Sequence, residues 1–135
     1  MNQLATALSV TELQEIARRL RFRIIQMSHA AKAPHLGSSL SCVDILAVVY
    51  WNFLNINSRR PKDDNRDRFI LSKGHAAAAI YATLGFREFF PLEDLNSYVK
   101  EGSYFADHPN PHNIPGIEVA TGSLGHGLSV GLGMA

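Results

Sequence analysis

The chain carries one cysteine, Cys42, in 135 residues. A single thiol closes no internal disulfide and supplies no thiolate zinc cluster, which excludes a secreted disulfide scaffold and points to a reducing, cytoplasmic setting. Excess charge of one sign is missing as well. Thirteen Lys and Arg face twelve Asp and Glu, for a formal net charge of +1, and the basic residues form no long run. No nucleic acid and no membrane surface is therefore expected as a partner. Long hydrophobic runs are absent: no stretch approaches the roughly 20 apolar residues of a spanning helix, and the N-terminus lacks a positive start followed by an apolar segment. The GxGxxG and GxxxxGK(S/T) spacings do not occur, so the common nucleotide-binding fingerprints are excluded.

What is present is the composition of a globular domain, 46% apolar and long enough to bury one core. Ser9 followed by Glu12 forms a capping box and predicts a helix start. Leu13, Ile16, Leu20, Ile24 and Met27 then recur at helical spacing, with Arg18, Arg19, Arg21 and Arg23 on the solvated side and Pro34 and Gly37 ending the pattern. The run SCVDILAVVYWNFL, opening at Ser41 to Asp44, is apolar nearly all round and predicts a buried helix. NSRRPKDDNRDR reads as a surface loop.

Arg68 to Leu71 reads as a strand, SKG as a turn, and HAAAAIYATL as a helix stopped by Gly85. Pro91 suits the first turn of a short helix with Leu92, Leu95, Tyr98 and Val99 inward. FADHPNPHNIPG cannot be helical. The stretch from Ile117 to Ala120 reads as a second strand, followed by a glycine turn and a helix with small faces, Gly127 with Gly131 and Ser129 with Gly133. No stop signal closes that helix at Ala135, so the chain is expected to end inside an element.

Six histidines are the most informative residues. His35, His75, His108 and His126 sit beside Gly or Pro in predicted turns, where side chains are presented rather than packed, whereas His29 reads as a helix-surface residue. His75 follows SKG at a helix start, beside unpaired backbone amides that favour a phosphate or another anion. In TGSLGHG the missing side chains let backbone groups approach a ligand directly.

The segments KAPHLGSS, LSKGHA and DHP, followed by PGIEVATGSLGHGLSVGLGMA, resemble in order and spacing the N-terminal thiamine diphosphate domain of transketolases. The resemblance spans about Thr11 to Ala135. It implies residues 1–135 as one N-terminal portion of an α/β, thiamine-diphosphate-binding fold, helix-rich with a few parallel strands and an incomplete sheet. It also implies transfer of a two-carbon ketol unit between sugar phosphates in the pentose phosphate pathway. His35 and His108 match the catalytic histidines that face the substrate and bond its hydroxyls. His75 matches the contact to the cofactor diphosphate, and Gly122, Ser123 and Leu124 match the stretch that holds the cofactor, with Ser123 in place of the usual proline. His126 stands where the family often has glutamine and reads as a neighbour.

The magnesium or calcium of the family is held by a GDG motif with a downstream asparagine, and no GDG occurs in this sequence. No metal ligand is therefore assigned. The expectation is the front part of a transketolase N-terminal domain, truncated or split, that is inactive alone and needs a C-terminal transketolase polypeptide as partner in a homo- or hetero-oligomer. Two alternatives stand beside it: a non-catalytic remnant or interaction module, and a small metal-dependent hydrolase using Asp107, His108 and His112.

Overall fold

A computed structural model describes residues 7–135. The first helix, α1, spans Val10–Ala31. Its start is fixed as expected: the Ser9 hydroxyl accepts from Glu12 N–H at 3.3 Å, and the Glu12 carboxylate accepts from Ser9 N–H at 2.8 Å. Leu20, Ile24 and Met27 are buried, while Leu13 and Ile16 are half-buried or less. The helix stops at Lys32, whose φ of 50° turns the backbone left-handed and whose N–H caps the His29 carbonyl, ahead of Pro34 and Gly37. Arg18 and Arg19 are solvated, whereas Arg21 pairs with Asp44 and Arg23 turns inward to the Leu92 carbonyl.

Next come α2, Leu36–Leu40, and α3, Val43–Val48, which continues as a π turn over Val49–Phe53. Val43, Leu46, Ala47 and Tyr50 are buried, but Ile45 is 63% and Phe53 74% exposed. The expectation of a helix buried all round is thus corrected: α3 packs on α1 and α4, while Ile45 on its outer face stays exposed.

The all-round burial belongs to α4, Ala77–Phe86, where every residue from Ala77 to Gly85 is buried. Its alanines keep the helix thin enough for α1, α2 and α3 to pack against it. Gly85 does not stop this helix. An added Cβ there would lie 3.0 Å from Leu92 and 3.3 Å from Leu95, so glycine admits the following turn at close range, and the chain leaves the helix at Arg87. That turn is a 3-10 helix, Leu92–Ser97. Leu95 and Tyr98 point inward, but Val99 is 41% exposed. A φ of 54° at Val99 swings its side chain outward while its N–H donates to the Phe105 carbonyl at 2.8 Å.

The two expected strands are not found. Among the described residues neither Arg68–Leu71 nor Ile117–Ala120 forms a ladder, and no backbone hydrogen bond joins them. Both runs line one narrow gap beneath Ile80. Apolar pattern brings them together, but a strand exists only where its N–H and C=O groups face another strand in register. The last helix, α5, spans His126–Met134. Its Gly127 side closes on the chain, since a Cβ there would meet Ser72 at 2.7 Å. Among the described residues no helix is long and apolar enough to cross a membrane.

Three core tyrosines make the fold sensitive to alkali. Burial raises the pKa of Tyr50 and Tyr81, and burial with the nearby Asp107 charge pushes Tyr98 up to about 12. A pKa above the ordinary tyrosine value of about 10 means that stability is complete below that pH and is lost as pH rises through about 12. Alkaline titration should therefore show tyrosinate absorbance rising together with loss of far-UV circular dichroism. Three tyrosines titrating near pH 10 with the helices intact would contradict this packing.

Candidate functional site

Three separate segments deliver three imidazoles to one place. His35 occupies the N-cap position of α2 in a left-handed conformation, φ 68° and ψ 21°, with its side chain exposed and making no cap hydrogen bond. His75 lies in the 3-10 turn Gly74–Ala76 that leads into α4. His108 comes from the Pro-rich loop, whose backbone is anchored by the Tyr81 hydroxyl donating to the His108 carbonyl at 3.2 Å. The ring of His75 stands 4.7 Å from His35 and 4.8 Å from His108, and His35 and His108 are 6.3 Å apart, all edge to face. Asp107 Oδ1 lies 3.3 Å from His108 Nδ1, a position from which a carboxylate orients an imidazole.

The glycine turn meets this cluster at backbone range. Gly74 packs so closely on Thr121 that a Cβ would overlap the Thr121 carbonyl oxygen, and a Cβ on Gly122 would lie 3.5 Å from His108. Thr121 N–H donates to the Pro109 carbonyl at 3.3 Å, tying the turn to the histidine loop. Ser123 and Leu124 follow, both exposed. A cavity of about 390 Å³ opens along Thr121, Gly122, Ser123 and His126; the Thr121 hydroxyl is buried without a hydrogen-bond partner.

Sequence reasoning missed Lys73, Ser38 and Thr121. The Lys73 ammonium donates to the Ser38 carbonyl at 2.8 Å and to the Ser41 hydroxyl at 2.6 Å, fastening the segment that carries His35 to the turn that carries His75. Its place inside SKG was the available signal. Cys42 belongs to the same knot; burial pushes its thiol pKa up, with the Lys73 charge acting in the opposite sense. His126 stands exposed at the start of α5, where Gly127 N–H donates to the Ser72 hydroxyl at 2.9 Å. His29 is exposed on α1, and His112 is exposed on the loop.

The groups present suit an anionic ligand: an imidazole at a helix start and a turn with no side chain at Gly122. They do not suit a metal. Among the described residues no group of three or more His, Cys, Asp or Glu is placed to hold an ion, which leaves the Asp107, His108 and His112 hydrolase reading without a ligand set.

Imidazoles and a glycine turn are gathered on a helical framework. The chain belongs to the transketolase family: the family model for the transketolase, thiamine diphosphate binding domain matches residues 12–135. It is 41% identical over 128 residues to one subunit of an apulose-4-phosphate transketolase from Phocaeicola vulgatus, covering 95% of this chain and 45% of that protein. It is 36% identical to a 6-deoxy-6-sulfo-D-fructose transketolase subunit from a Clostridium species, covering 92% and 45%. The transketolase structure from Leishmania mexicana superposes with a TM-score of 0.84 at 31% identity, over 90% of this chain and 18% of that one. The chain thus spans less than half the length of these relatives, and its fold is that of a transketolase N-terminal domain.

Proposed function

We propose that this chain supplies the histidine wall of a two-polypeptide transketolase that moves a two-carbon ketol unit between sugar phosphates. The observation that carries the reading is the convergence of His35, His75 and His108 beside the Gly122 turn. The subunit names of the similar proteins support a second polypeptide.

When bound, thiamine diphosphate supplies the electron sink that lets a carbon–carbon bond beside a carbonyl break. His75, at the entrance to α4, would hold the diphosphate, with the backbone of Gly122, Ser123 and Leu124 holding the rest of the cofactor. His35 and His108 would bond sugar hydroxyls and pass protons near neutral pH, with Asp107 setting the orientation of His108.

The test is calorimetric titration of thiamine diphosphate with magnesium into the chain alone and into its mixture with a candidate C-terminal polypeptide, followed by a ketol-transfer assay. The mixture should bind and turn over, the chain alone should do neither well, and His75→Ala should weaken cofactor binding in the mixture at least tenfold. Full turnover by the chain alone would refute the split arrangement. Failure of every mixture would favour the non-catalytic remnant.

A further inference from the structure

We infer that a second cavity, between α1 and the Leu92–Ser97 turn, binds a small organic anion: a carboxylate or phosphate group carried on an apolar body. The cavity measures about 270 Å³, just under the usual range for small-molecule pockets, and none of its lining residues belongs to the histidine cluster. Arg23, Gln26, Asn96 and Lys100 supply its polar groups, and Met27 and Leu95 are among its apolar ones.

Arg23 is the group that demands a ligand. Its Nη2 donates to the Leu92 carbonyl and to Asn96 Oδ1, each at 3.0 Å, while its Nε is buried without a hydrogen-bond partner. Both acceptors are neutral. Among the described residues no carboxylate comes within 4.0 Å of Arg23 or Lys100. Arg18, Arg21, Arg60 and Arg66 each find one. Glu93, Asp94 and Glu101 lie in the adjoining segment but do not line this cavity.

A partly buried guanidinium with neutral acceptors only has no counter-charge beside it, and burial lowers the Arg23 pKa. A second cation on the same cavity adds to the imbalance. An entering anion removes it, and the planar guanidinium, already oriented by Leu92 and Asn96, matches carboxylate and phosphate oxygens. The apolar residues leave room for a short hydrocarbon or aromatic body beside the charged head.

The full chain, labelled with nitrogen-15, can be titrated with benzoate, with phenyl phosphate and with neutral benzamide. Saturable shifts at the amides of Gln26, Asn96 and Lys100 are expected from at least one anion and not from benzamide, and the anion that saturates first identifies the preferred head group. Lys100→Gln, an exposed substitution that leaves the core untouched, and Arg23→Gln should each weaken that binding about tenfold, whereas His75→Ala should leave it unchanged. The proposal is overturned if neither anion gives saturable shifts, if benzamide acts equally, or if Lys100→Gln and Arg23→Gln bind as the parent does.

Discussion

Gly74→Ala is expected to destabilise the protein by about 3 kcal/mol, a loss of roughly 10 °C in Tm. The added methyl would overlap the Thr121 carbonyl oxygen and fall 2.6 Å from its carbonyl carbon and 2.8 Å from Gly122 nitrogen. All three are backbone atoms, so no rotamer change relieves the overlap; the SKG turn and the TGS turn must separate. That separation draws Gly122 away from His108 and should weaken cofactor binding in the same variant. Gly37→Ala is the matched control. It lies in α2 with nothing within 4 Å of the new methyl, and alanine's better helix propensity should stabilise slightly, by up to about 1 kcal/mol. Urea denaturation of both variants tests the packing; equal, small effects would mean that the two turns are not in backbone contact.

Glu118→Leu is expected to cost about 3 kcal/mol at neutral pH. Glu118 and Arg66 form a bidentate pair, with Nη2 to Oε2 at 2.9 Å, and their side chains are only 8% and 14% exposed. The hydrogen bonds that Arg66 donates to Glu118 raise the Arg66 pKa, and Arg66 Nε is buried without a partner of its own. Removing the carboxylate strands a desolvated guanidinium, which is far costlier than losing an exposed pair. The double variant Arg66→Met with Glu118→Leu should recover most of the loss, because it removes both charges together. A single-variant cost below about 0.5 kcal/mol would show that the pair behaves as a surface bridge. The pair also ties the loop around Arg66 to the segment just ahead of Thr121, so its loss should loosen the glycine turn beside the histidines.

Much of the site was legible in the chain because its residues are marked locally. His35 precedes Leu-Gly, His75 follows SKG, His108 precedes Pro, and Gly122 opens a turn, so each carries its own signal of presentation. Elements whose state depends on neighbours were harder to read. Arg68–Leu71 and Ile117–Ala120 have strand-like patterns, but pairing is a property of two segments and neither finds its ladder here. Gly85 looked like a stop and is instead a point of close approach for Leu92. Val99 looked apolar and inward, yet its positive φ carries it out. Lys73 looked like a turn residue and proves to be a clamp between two site segments.

The sequence by itself determined the helix start at Ser9, the alanine-rich helix, the loop character of the DHP segment, the family and the residue types available for chemistry. These follow from local backbone preference, apolar period and short motifs, all of which act within a few residues. Tertiary structure decided which of the six histidines meet, how far apart they stand, which arginine finds a carboxylate and which is left over a cavity. Those outcomes depend on contacts between groups far apart in the chain, such as Arg23 with Leu92 or Gly74 with Thr121, and only packing of the whole core fixes them.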